Sequence, residues 1–163
     1  MPKPSFTSLK ANHYSSDSRE SNYKNGEDVY KEIGYDIKTL MAQNGQYENT
    51  CAVRMSLAFL KSGVYFGTPI SRLQIKDGPY KGRHVGTGAK TLADELRKPT
   101  SLGKPLTGKK AEEAVKTKKG VIFFHRIYGS TTGHIDLIEP VDACHSSCHF
   151  DPKTKEIWFW PLD

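Results

Sequence analysis

Apolar residues along this chain repeat with two different periods, and the change falls at Gly120. Before that point the spacing is helical. Val29, Tyr30, Ile33, Ile37, Leu40 and Met41 predict a helix from about Glu27 to Gln43. Gly34 bends or splits it, and Asn44-Gly45 ends it. Val53, Leu57 and Leu60, with Met55 and Phe59 beside them, predict a second, mostly buried helix. It starts at Thr50 or Cys51, capped by Asn49 or Thr50, and stops before Gly63. Shorter helical patterns cover Thr91–Lys98, with Leu92 and Leu96 facing inward, and Lys109–Lys116. Residues 63–88 hold many Gly, Pro and Lys residues and read as irregular, with room for short strands.

From Gly120 onward the pattern is that of strands. Gly120–Ile127 is an apolar run, 128–132 is a Gly/Ser/Thr turn, and Gly133–Glu139 alternates as the second strand of a hairpin. Ile157–Trp160 is a late strand. Helices first and an antiparallel sheet afterwards give an α+β fold, with helices packed on the sheet. The 163 residues suffice for one domain, 1–163, with a proper core. Residues 1–25, rich in Ser, Asn, Lys and Pro, read as a loosely ordered arm over its surface.

Composition narrows the partners. The chain is 36% hydrophobic and 10% aromatic, which argues against global disorder. Its net charge of +6 fits an acidic partner: nucleic acid, an anionic membrane surface or an anionic cell-wall polymer. The lysines are scattered, and no basic run interleaved with aromatics appears, so nucleic-acid binding ranks low. Met1–Ser16 offers no apolar segment of a secretory signal, and no stretch has the length of a membrane-spanning helix. A soluble protein made in the cytoplasm is expected, without membrane insertion. Work elsewhere would need another export route.

The candidate chemistry sits at two element starts. Cys51 opens the buried helix, where the N-terminal partial positive charge favours a thiolate. His134 opens a strand after Gly133. A histidine beside that sulfur can take its proton and later deliver it to a leaving amine. Most free cysteines are inert core residues. Against that, the preceding 45–49 segment is polar and loop-like, and the helix behind Cys51 is apolar enough to be a rigid central element. His125 lies deep in an apolar strand and reads as a core histidine; His13 and His84 lie in loops without supporting context. A third group must hold the imidazole by its other nitrogen. Asp142 and Asp136 are the candidates, with Asp142 preferred because its segment can fold back across the sheet.

Three cysteines are present, Cys51, Cys144 and Cys148. The run Cys144-His145-Ser146-Ser147-Cys148-His149 makes a poor zinc site, because its donors are crowded and no distant ligands join them. A small Cys144–Cys148 disulfide loop is more economical and leaves Cys51 free. The residues together suggest a cysteine hydrolase acting on an amide, with no metal or cofactor. Two rivals stand beside it: a cysteine peptidase or acyltransferase of other specificity, and a non-enzymatic basic binding module with a Cys/His metal site.

Asn49-Thr50-Cys51-Ala52-Val53-Arg54-Met55-Ser56, Phe123-Phe124-His125, Gly133-His134-Ile135-Asp136-Leu137 and Cys144 to Cys148 before a Trp-rich strand resemble the type VI secretion amidase effectors of the fourth family. The resemblance runs from about residue 25 to 163. It implies a papain-like, NlpC/P60-related fold with the nucleophile at the N-terminus of a central helix. It also implies an antibacterial peptidoglycan amidase that cuts the γ-D-glutamyl–meso-diaminopimelate bond of stem peptides in the target's periplasm. By the same resemblance Cys51 is the nucleophile, with its backbone N–H helping to hold the oxyanion. His134 is the general base, Asp142 the orienting acid, and Cys144–Cys148 a disulfide. Delivery by the type VI machinery and a cognate immunity protein, touching residues 77–88 and 128–132, are implied as well.

Overall fold

The computed structural model describes residues 3–66, 70–71, 73–126, 133–140 and 154–163. Its centre is a helix with no solvent face. Helix α4 (Cys51–Lys61) is buried at every position from Cys51 to Leu60, the signature of a central rather than a surface helix. Three helices precede it: α1 (Phe6–Asn12), α2 (Gly26–Glu32) and α3 (Ile37–Gln43). A 3₁₀ turn, Gly45–Glu48, leads into it. Of the two outcomes expected at Gly34 in the helical stretch 27–43, a bend or a split, the structure shows the split. Gly34 lies between α2 and α3 with φ of 89°, a left-handed conformation that glycine adopts without strain.

The segment expected to be a loose arm is structured. Ser5 caps α1 through its side chain, and Phe6 and Leu9 are buried in the core. Two apolar side chains at helical spacing are enough here because α4 offers them a ready-made apolar surface.

After α4 come α5 (Ala89–Leu96), β1 (Leu106–Thr107), α6 (Gly108–Ala114), β2 (Gly120–Arg126), β3 (Gly133–Ile138) and β4 (Thr154–Pro161). The strands form one antiparallel sheet in the order β1-β4-β2-β3. Mixed helices packed on an antiparallel sheet agree with the α+β expectation. The short strand β1 carries too little alternation to read from the sequence. Within 63–88 the described residues contribute an isolated bridge between Gln74 and His84. The turn at 128–132 lies outside the described residues.

Three apolar clusters fix α4 and the sheet. Ala52, Met55 and Phe59 meet Phe6 and Leu9 of α1, Leu92 and Leu96 of α5, and Val121, Phe123, Ile135, Trp158 and Trp160 of the sheet. Val53, Leu57 and Leu60 meet Val29, Tyr30 and Ile33 of α2 and the segment around Leu73 to Val85. Ile122, Phe124, Ile138, Ile157 and Phe159 pack with Ala111 and Val115. Each large side chain buried in this way contributes roughly 2 kcal/mol. The helix is therefore held from several directions, and its first residue is held with it.

Gly133 positions the strand that matters most. A Cβ there would lie 2.6 Å from the carbonyl oxygen of Phe124 and 2.7 Å from the Phe123 ring. Only glycine lets β3 approach β2 this closely, one residue before His134. Gly133→Ala is expected to cost about 2 kcal/mol through overpacking, read as a lower midpoint in urea unfolding.

Candidate active site

Cys51 is the first residue of α4 and is 9% exposed. Its N-terminus is capped in an unusual way. Thr50 is the N-cap residue, but its side chain makes no cap hydrogen bond. Instead its hydroxyl accepts from Nε of Arg54 at 2.7 Å. The side-chain oxygen of Asn49 accepts from the Cys51 backbone N–H at 3.3 Å. The donor expected to face an oxyanion is thus engaged, though by a long bond.

His134 lies opposite Phe124 in the β2–β3 ladder. Its side chain is hydrogen-bonded both to Cys51 and to Asp136. Nε2 lies 3.3 Å from Oδ2 of Asp136. Residues i and i+2 of a strand point to the same side, which is how one short segment supplies both groups. The other carboxylate oxygen, Oδ1, accepts from the backbone N–H of Leu137 at 2.8 Å. It also lies 3.6 Å from Nε2 of His13, at the end of α1.

These contacts set the charge of the imidazole. Burial opposes its protonated form. The hydrogen bonds and negative charges of Asp136 and Cys51 outweigh burial and push the His134 pKa up to about 10. Burial also works against ionised Asp136, yet His134 and His13 hold its carboxyl below the usual carboxylate range. His13 goes the other way. Burial, helped by the positive charges of Arg54 and His134, overrides the pull of Asp136 and lowers its pKa.

Arg54, one turn into α4 from Cys51, is buried. Besides Thr50, its guanidinium donates through Nη1 to the carbonyls of Tyr14 (3.3 Å), Ser15 (2.9 Å) and Lys24 (2.5 Å). It ties the N-terminal segment to the start of α4.

Of the residues singled out in the sequence, Cys51, His134 and Asp136 come together. Asp142, Cys144 and Cys148 lie outside the described residues. His125 stacks on Phe123 with ring centroids 5.8 Å apart, in keeping with a packing role. His13 and Arg54 were not anticipated. An arginine inside an otherwise apolar helix was a readable signal; His13, in a polar stretch, carried none. Among the described residues, no group of three or more His, Cys, Asp or Glu side chains is placed to hold a metal ion.

Comparison with known proteins supplies a family for this arrangement. The profile of the type VI secretion system (T6SS) amidase effector protein 4 family, Tae4, matches residues 47–160. The chain belongs to that family, so its coarse activity is that of an amidase effector. Solved structures agree in fold. Tae4 from Enterobacter cloacae superposes with a TM-score of 0.69 at 24% identity, covering 99% of this chain and 98% of the other. The Tae4–Tai4 effector–immunity complex from Salmonella Typhimurium gives 0.64 at 22% identity, covering 99% and 100%. That from Enterobacter cloacae gives 0.60 at 20% identity, covering 99% and 100%. No curated protein sequence matches the chain.

The balance at His134 predicts the effect of removing the carboxylate. Asp136→Asn takes away a main attraction for the proton and leaves burial, which favours the neutral ring. The His134 pKa is expected to fall from about 10 toward neutrality, measured by NMR titration of the ring. A pKa unchanged in the variant would contradict this account of the site.

Proposed function

We propose that the protein is an antibacterial cysteine amidase that cleaves the γ-D-glutamyl–meso-diaminopimelate bond of peptidoglycan stem peptides, on a papain-like scaffold of the NlpC/P60 kind. One observation carries the reading: the buried Cys51, at the N-terminus of α4, shares a hydrogen bond with a His134 that Asp136 also holds. A nucleophile, a base and an orienting acid in sequence are what acyl transfer to sulfur requires.

In this reading the thiol proton has passed to His134 before substrate arrives, and the sulfur attacks the glutamyl carbonyl carbon as the thiolate. The resulting imidazolium faces the carboxylate of Asp136. The oxyanion forms beside the first turn of α4, where the Cys51 N–H exchanges its long bond to Asn49 for a bond to the substrate oxygen. As the tetrahedral intermediate collapses, the C–N bond breaks and His134 gives its proton to the departing diaminopimelate amine. Water then attacks the thioester and His134 takes a proton from it; the tetrahedral species expels the sulfur, the thiolate–imidazolium pair is restored, and the glutamyl product leaves after losing its carboxyl proton to solvent. The high pKa of His134 matters in the protonation step, because the ring keeps its proton at neutral pH until the amine takes it.

The setting follows from the family and from the charge. A net charge of +6 suits a wall polymer rich in carboxylates. Delivery by a T6SS brings the enzyme to the peptidoglycan of the target periplasm. In the solved relatives Tae4 is paired with the immunity protein Tai4. A cognate immunity protein that covers the cleft of this enzyme is the corresponding partner here, with residues 77–88 and 128–132 as its contacts. Oxidation of Cys144 with Cys148 on arrival would pin the segment that carries Asp142.

The test is digestion of purified Gram-negative sacculi, with muropeptides read by mass spectrometry. Wild type should cut between D-glutamate and diaminopimelate, and Cys51→Ala should lose roughly a thousandfold or more in rate. Asp136→Asn and Asp142→Asn, compared side by side, decide which carboxylate orients His134; the stronger loss marks it. Cutting that survives Cys51→Ala would end the cysteine reading, and cutting at a different bond would end the proposed specificity.

A further inference from the structure

We propose that His13 is a positioning residue of this site: it holds the outer oxygen of Asp136, so that the inner oxygen stays on His134. The proposal rests on the cysteine-amidase reading and adds to it a residue from the N-terminal segment.

The geometry is a chain of four side chains from three elements. Cys51 on α4 meets His134 on β3, and His134 meets Oδ2 of Asp136 at 3.3 Å. Oδ1 of the same carboxylate faces Nε2 of His13 at 3.6 Å, within ion-pairing range and just beyond a hydrogen bond. A carboxylate on a short side chain can rotate about its terminal bond. A donor on each oxygen stops that rotation, and Leu137 N–H alone holds Oδ1 from one side.

His13 is built in rather than draped over the surface. It is 8% exposed. Its backbone N–H donates to Lys10 and its carbonyl accepts from the Asn22 side chain at 2.7 Å. The residues immediately after it, Tyr14 and Ser15, give their carbonyls to Arg54, which also grips Thr50, the neighbour of Cys51. At the other end of α1, the Phe6 N–H donates to the carbonyl of Asp163 at 2.7 Å. Lys10, one turn before His13, pairs with Glu139, just past β3, so two side-chain contacts tie the end of α1 to this strand and its exit. His13 is thus placed by the same arginine that borders the nucleophile.

The charge state fits the role. The ionisable groups facing His13 are Asp136 and His134 on β3 and Arg54 on α4. With the imidazolium of His134 already against the carboxylate and Arg54 nearby, a further cation at His13 would compete with His134 for Asp136. A neutral His13 presents its Nε2–H toward the carboxylate from 3.6 Å without bringing that charge.

The experiment uses the full chain carrying His13→Gln or His13→Asn. The glutamine amide nitrogen reaches the place of Nε2, whereas the asparagine amide is one carbon short. Hydrolysis of a defined stem peptide gives kcat and KM. Alkylation of Cys51 by iodoacetamide across pH, mapped by mass spectrometry, reports the sulfur independently of substrate, and thermal melting reports folding. We expect His13→Asn to lower kcat by about tenfold with KM nearly unchanged and to shift the pH profile of alkylation. We expect His13→Gln to restore most of both. The role is overturned if His13→Asn matches wild type in rate and alkylation profile. It is also overturned if the two variants lose rate equally, since the side chain then only fills space. A Cys51→Ala control that still cuts would overturn the underlying cysteine reading, an outcome distinct from either.

Discussion

Everything at the site depends on α4 being buried on all sides. A helix with one wet face can slide or roll along its partners; one packed against α1, α2, α5 and the sheet cannot do so without opening several clusters together. Its direction in space is therefore fixed, and with it the place where Cys51 stands. Because the sides are closed, the end of the helix is where reactive chemistry can meet solvent. The polar 3₁₀ turn at Gly45–Glu48 keeps that end from being sealed by apolar residues. Rigidity and access come from the same arrangement.

The electrostatics divide the work between burial and pairing. Burial alone would leave His134 neutral and Asp136 protonated. Placed against one another and against Cys51, each stabilises the charge that burial penalises in the other. Arg54 differs: its nearest partners are a hydroxyl and backbone carbonyls, not a carboxylate. It spends its charge on uncharged acceptors and serves as a clamp, with Asp136 and Cys51 feeling it at longer range.

What the sequence disclosed follows the length scale of each signal. The apolar runs of α4 and β2 and the alternation of β3 are local and strong, so these three elements were legible to within a residue or two. The split at Gly34 was legible because glycine is the residue that permits it. The pairing of His134 with Asp136 was open to a period-2 argument, yet the sequence favoured Asp142, whose segment can fold back across the sheet. By contrast, α1 shows only Phe6 and Leu9 as apolar anchors, and β1 is two residues long. Their stability comes from surfaces presented by residues far along the chain, and no local window contains that information. His13 was invisible for the same reason: its importance lies in a partner more than a hundred positions away.

The strand order has a consequence for behaviour in concentrated solution. Among the described residues β3 is an outer strand of the sheet, and it carries His134 and Asp136. An outer strand invites pairing with the edge of another molecule, and soluble proteins block such edges. Here the N-terminal segment is tied to side chains of β3 and its exit through Lys10–Glu139 and His13–Asp136, and α4 packs on the strand. The segment that borders the carboxylate also covers, with Phe6 and Leu9, apolar surface that would otherwise face another molecule. Peeling it away would leave both an impaired site and a sticky molecule, so colloidal stability and activity should rise and fall together with the seating of the first helix.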